Sequence, residues 1–233
     1  MEPPHAVLVD VGDTLLEQRW FNLADGIDAV VHDRGRSEEL ADAFRAYELP
    51  AYARGDECLL GEWLRLQGPS LAALAAETIE DSIWDAVVRM QPRPGVEHAL
   101  ARLTRDGMPL AAVSNAAFSG RLLRRELARH GLAAALQFVL SSADVRSRKP
   151  SPEIFRIAID KLGHRTGRAW FVGDTFDEDI VGAKAAGMQP IWLPRVAPPN
   201  ETDSGVPVVK SWIEFLDLYS SCVGGPQERN ADA

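Results

Sequence analysis

The chain has 233 residues, 46% of them hydrophobic, with 34 acidic against 25 basic side chains and a net charge of −9. That length accommodates one large domain or a core with an insertion, and the acidic balance argues against nucleic acid or anionic lipid as a partner. No stretch reaches the roughly 18 apolar residues of a membrane span, and residues 1–5 lack the basic and apolar regions of a signal peptide, so a cytoplasmic protein is expected.

The first predicted element is the apolar run Ala6–Val9, a short buried strand that delivers Asp10 into the turn Val11-Gly12-Asp13-Thr14-Leu15. A carboxylate fixed at a strand end beside a residue without a side chain is the layout of a nucleophile. Residues 17–91 then carry helical patterns and no convincing strand. Phe21, Ala24, Ile27, Val30 and Val31 form one apolar stripe, Ser37 is placed to cap a helix holding Leu40, Phe44 and Tyr47, and 71–88 supply another stripe with Trp84. This segment is expected to be an inserted all-helical cap domain, hinged at the turn 16–19 and at Pro92-Arg93-Pro94-Gly95.

Beyond it, 110–113, 138–140, 170–172 and 191–193 read as short apolar strands. A helix is predicted over 120–130, ended by Gly131, and another follows the cap Ser151 and N1 proline Pro152 to Gly163. A short helix over 180–186 closes at Gly187, and Ser211-Trp212-Ile213-Glu214 is a capping box. Strands alternating with helices imply an α/β core, a doubly wound, Rossmann-like parallel sheet, over 1–16 and 92–222, with 223–233 as a flexible tail. Cys58 and Cys222 sit in no motif and are expected to be small apolar fillers.

Four sites fall at strand ends. Asp10 follows the first strand; Ser114 and Asn115 follow the second, where a hydroxyl and nearby N–H groups suit phosphate oxygens. Lys149 is the first lysine of the chain and offers a cation, while Arg146 and Arg148 beside it are expected to be solvated charges. Asp174, Asp177, Glu178 and Asp179 cluster after the fourth strand. Magnesium takes one or two carboxylates together with substrate phosphate and water, so Asp10 and Asp174 on neighbouring strands suit Mg2+. Asp177 and Glu178 read as a helix-start cluster, and the five histidines show no ligand spacing.

These segments, in this order, resemble the four motifs of the haloacid dehalogenase (HAD) superfamily, and the resemblance covers nearly the whole chain. It implies a helical cap between the first two motifs. By that likeness Asp10 is nucleophile and metal ligand, Gly12 lends a backbone carbonyl to the metal, Ser114 binds phosphate and Lys149 stabilises it. Asp174 is then the side-chain metal ligand and Asp179 its supporting acid. Arg19 and Trp20, just past the catalytic loop, are candidates to reach the substrate. The family's first motif usually reads Asp-x-Asp-Gly-Thr-Leu; here Gly12 stands at the second aspartate, which normally protonates the leaving oxygen. Asp13 is a possible substitute acid, although a one-residue shift redirects its side chain.

The resemblance implies a Mg2+-dependent phosphatase acting on a small phosphorylated metabolite through an aspartyl-phosphate. Two other readings follow from Gly12: a noncatalytic or weakly active binding or regulatory protein, and a 2-haloacid dehalogenase. Haloacid dehalogenases also lack the second acid but need no metal, so the Gly173-Asp174 motif favours phosphate. Phosphonate cleavage in the family uses a cap lysine, and 17–91 contains none. A sugar-phosphate mutase depends on the missing acid.

Overall fold

The computed structural model describes residues 1–54, 57–196 and 205–223, without the side chains of Arg19 and Trp20. Five parallel strands form the central sheet: β1 (Ala6–Val9), β4 (Leu110–Ser114), β5 (Val139–Ser141), β6 (Ala169–Gly173) and β7 (Gln189–Trp192), in the order β5-β4-β1-β6-β7. β1 is central, with Val9 opposite Ala112 on one side and Val172 on the other. All four of its residues are buried, because both faces of the sheet are covered. Alternation divides them: Val7 and Val9 pack with Ala112, Trp170 and Val172 on one face, and Ala6 and Leu8 with Val113 and Phe171 on the other.

The first face is covered by α6 (Val96–Arg105), α7 (Gly120–Arg129) and α11 (Trp212–Val223), through Leu100, Leu103, Leu122, Leu127, Trp212 and Phe215. The second is covered by α9 (Pro152–Lys161) and α10 (Val181–Ala185), with Phe155 edge-on to Phe171 at 4.8 Å between centroids. The chain moves outward from β1 through β4 to β5 and then crosses back to β6, so the switch point lies over the carboxyl end of β1. Asp10 occupies that point.

Helix α6 lies where no element is predicted, yet its buried Val96, Ala99, Leu100 and Leu103 recur at the helical period. The 180–186 helix is preceded by a π-helical turn, Phe176–Ile180. Ser151 caps α9 as expected, accepting from the Glu153 N–H. Of the predicted tail, Val223 ends α11 and 224–233 lie outside the described residues.

Helices α1 (Leu23–Val31), α2 (Arg34–Ala53), α3 (Leu60–Arg65), α4 (Pro69–Ala72) and α5 (Ala76–Val87) lie between β1 and β4 in sequence. The segment 17–91 is not purely helical. Strands β2 (Leu16–Trp20) and β3 (Arg89–Pro92) pair antiparallel at its two ends, Leu16 with Pro92 and Gln18 with Met90, where a hinge turn is expected. Both strands are short and polar, and each needs a partner distant in sequence, so neither shows the apolar alternation that marks a strand locally. Ser37 is also not a cap: Asp33 caps α2 by accepting from the Arg36 N–H, and buried Ser37 donates its hydroxyl to the Asp33 carbonyl one turn earlier. Ile27, Leu40, Ile83 and Trp84 join the hydrophobic cluster on the α6–α7–α11 face of the sheet, so this helical segment and the core share packing.

Candidate active site

Asp10 leaves β1 with its N–H donated to the Val172 carbonyl at 2.9 Å, which ties the residue to the end of β6. Its carboxylate meets Lys149, whose side chain is 2% exposed. The ammonium donates to Asp10 Oδ1 at 2.5 Å, to Asp179 Oδ1 at 2.6 Å and to the Val113 carbonyl at 3.2 Å. Its three protons are therefore all committed, which fixes its position between two carboxylates. The second Asp179 oxygen accepts from the Thr175 N–H at 3.0 Å. Gly173 makes room for this arrangement, since a Cβ there would fall 2.4 Å from the Asp179 carboxylate.

Asp174 is half-buried at the end of β6; its carbonyl accepts from the Trp192 indole at 2.7 Å and its carboxylate from the Thr175 hydroxyl at 3.3 Å. Carboxylate oxygens of Asp10, Asp174 and Asp179 lie within 4.8 Å of one another. Burial lifts the Asp10 carboxyl to about 7 against the pull of Lys149, with Asp179 and Asp174 adding to the rise. Burial also lifts Asp174, to about 6, with Asp179 and Asp13 as further causes. For Lys149, burial pulls downward, but Asp10 and Asp179 outweigh it and hold the ammonium above the ordinary lysine range. One cation thus faces three carboxylates, and the donor set is all hard oxygen. This fits a small divalent cation, which would offset the charge that one ammonium leaves uncompensated.

The remaining predicted residues divide. Ser114, buried at the end of β4, and Gly12 line a cavity of about 230 Å³ between the sheet and the helical segment. Asn115 also lines it, but its amide is spent on Lys149, donating to that residue's carbonyl at 2.9 Å and accepting from its N–H at 2.8 Å. Asn115 therefore holds the lysine loop. Asp13 adopts a left-handed backbone, φ 51°, and its carboxylate pairs with exposed Arg195 at 2.9 Å and accepts from the Gln18 N–H. Its charge is engaged outside the cavity, which disfavours it as the substitute acid. The side chains of Arg19 and Trp20 lie outside the described residues.

Three groups escape local sequence reasoning. Buried Arg93 donates to the carbonyls of Asp13, Leu193 and Pro194 at 2.7, 2.9 and 2.8 Å, tying the loop after β1 to the loop after β7. Arg148 is not a solvated charge. Its side chain is 12% exposed, lies 3.4 Å from the Tyr52 ring centroid and pairs with Glu57 and Glu178, each at 3.3 Å. Buried Glu57 also accepts from the Ser142 hydroxyl at 2.8 Å, so this network joins the helical segment to the loop that carries Lys149. Arg148→Ala would leave Glu57 buried without its cation. The expected cost is about 3 kcal/mol, read as a lowered urea midpoint. The third group is Glu48 on α2, the ionisable side chain on the cavity wall among the described residues, raised to about 7 by burial and by Glu57.

A family profile described as haloacid dehalogenase-like hydrolase matches residues 4–187. A phosphoserine phosphatase from Thermus thermophilus is 29% identical over 235 residues, covering 85% of this chain and 92% of that protein. An (S)-2-haloacid dehalogenase from Pseudomonas is 27% identical over 213 residues, covering 86% of this chain and 89% of that protein. A 2-haloacid dehalogenase structure from Pseudomonas syringae pv. Tomato superposes with a TM-score of 0.67 at 19% identity, over 95% of this chain and 99% of that one, a likeness of fold.

Proposed function

The chain belongs to the haloacid dehalogenase-like hydrolases, and we propose that this hydrolase is a magnesium-dependent phosphatase that cleaves a small phosphorylated metabolite through an aspartyl-phosphate on Asp10. The observation that carries the reading is Asp174 beside Asp10 and Asp179, three converging carboxylates against one lysine. In this reading Asp10, Asp174 and the Gly12 carbonyl hold Mg2+, with Asp179 in support. When bound, Mg2+ supplies charge that lets an anionic carboxylate meet an anionic phosphate.

The protein's own groups do the rest. Asp10, fixed by its backbone tie to β6, attacks phosphorus as the ester P–O bond breaks, and the alcohol oxygen leaves with the bonding pair and takes its proton from water, Gly12 offering none. Lys149 lies against the attacking carboxylate and offsets charge on the transferring phosphoryl group, while Ser114 donates to a phosphate oxygen. Asp179 and Asn115 keep Lys149 in place. Water then attacks the aspartyl-phosphate, releasing phosphate and restoring Asp10. The helical segment acts as a cap over substrate, joined to the loop that carries Lys149 through Arg148, Glu57 and Tyr52.

A Cβ at Gly12 meets nothing within 4 Å, so the position accepts one without displacement. Gly12 therefore removes proton delivery rather than the fold, and positioned acid–base help is typically worth about 10²–10⁴ in rate. Wild-type protein with Mg2+ is expected to release phosphate from an activated aryl phosphate and to lose that activity in a chelator. Gly12→Asp is expected to raise turnover of an unactivated alkyl phosphate at least about tenfold while changing aryl phosphate turnover little. No gain would show that proton delivery does not limit the reaction.

The dehalogenase relative and the missing acid favour a second reading, hydrolysis of a 2-haloacid. Release of halide from 2-chloropropionate in chelator, without phosphate release from any ester, would establish it. Asp174 counts against it, because a metal-free displacement at carbon gains nothing from a third converging carboxylate.

A further inference from the structure

The cavity that opens beside Ser114 and Gly12 has walls unlike those a charged metabolite needs. Phe21, Phe44, Leu60, Trp84, Met90 and Phe118 are among its apolar lining residues, with Trp84 and Phe21 edge-on to Phe118 at 5.1 and 6.2 Å between centroids. Among the described residues the wall contains no lysine, arginine or histidine. Gln18 and Glu48 are its polar members besides Ser114 and Asn115, and the one ionisable group among them is an acid. A carboxylate or a second phosphate on the substrate would lose water here, find no cation among the described residues and, at pH values above the pKa of about 7 that burial gives Glu48, meet a like charge.

Size points the same way. An apolar cavity of about 150 Å³ takes up benzene. The cavity here, about 230 Å³, holds a ring with substituents. Its aromatic side chains offer ring contacts to such a group.

We propose that the cavity binds the organic part of the substrate and that this part is neutral and apolar, a ring-sized alcohol such as a phenol, with its phosphate at Ser114 and Asp10. This rests on the phosphatase reading and narrows it: the preferred esters are those of uncharged apolar alcohols, not phosphorylated acids or bisphosphates.

The test uses wild-type protein with Mg2+ and two phosphonates that keep the headgroup but resist hydrolysis. Calorimetry is expected to give phenylphosphonate a Kd at least about tenfold lower than phosphonoacetate. Two variants probe the walls. Ala117→Leu narrows the cavity and should weaken phenylphosphonate at least about fivefold more than phosphonoacetate. At pH 8, where Glu48 is mostly ionised, Glu48→Gln should shrink the gap by improving phosphonoacetate. Phosphonoacetate binding as tightly as phenylphosphonate, or no binding of either, overturns the proposal. The phosphatase reading fails on a separate observation, absence of phosphate release from acetyl phosphate, whose small acyl group does not depend on the cavity walls.

Discussion

Asp10→Asn is expected to reduce phosphate release by on the order of 10⁴–10⁶, the scale of losing a nucleophile from a site whose groups act as a unit. The change is nearly isosteric and keeps the backbone tie to Val172, so the effect belongs to chemistry and not to folding. Stability provides the control. Because burial raises the Asp10 carboxyl to about 7, its ionised form is disfavoured in the fold relative to the unfolded chain. That cost is absent below the unfolded pKa of 3.8 and grows as pH rises towards 7. In metal-free buffer at pH 8, the melting temperature of Asp10→Asn is therefore expected not to fall below wild type. A variant that loses activity and also melts well below wild type would place Asp10 in the architecture instead.

Lys149→Met is expected to cost both stability and turnover. Methionine fills similar space, but Asp10 and Asp179 are left buried together without the ammonium that joins them. Breaking a buried pair by removing one partner costs about 3–5 kcal/mol. Turnover should fall by roughly 10²–10³, as when one fixed donor to a developing charge is removed. Urea unfolding without metal isolates the first effect. Adding Asp179→Asn to Lys149→Met should recover part of the stability and none of the activity, since it removes a stranded carboxylate without restoring a cation. Full stability in the single variant would mean that the two carboxylates are not held by Lys149.

The site was legible where a local pattern coincides with a strand end. Asp10, Ser114 and Asp174 each lie at the end of an apolar run, and the parallel sheet brings those ends together, so the strand pattern alone implies the cluster. Lys149 stood out because lysine is scarce, and its burial between two acids follows from the loop after β5 folding back over β1 and β6. What stayed hidden depends on contacts between distant segments. Arg93 among prolines resembles a surface charge until three loop carbonyls converge on it. Arg148 resembles its neighbour Arg146 until Tyr52 and Glu57 arrive from the helical segment. The β2–β3 pair was hidden for the same reason, each strand being defined by the other. Helix α6 had a readable period, and only Ser37 among the predicted caps yielded to a better competitor, Asp33 one turn earlier.

In the proposed mechanism Asp10 forms a bond to phosphorus. Wild-type protein mixed with Mg2+ and an aryl phosphate, quenched in acid within one turnover and digested, gives the most direct test by mass spectrometry. One phosphoryl group is expected on the peptide carrying Asp10, lost on mild alkaline treatment and absent from Asp10→Asn. In heavy-oxygen water the label should then enter the released phosphate and not Asp10. An unmodified Asp10 peptide during active turnover, a phosphoryl group on another residue, or label incorporated into Asp10 itself would contradict that mechanism.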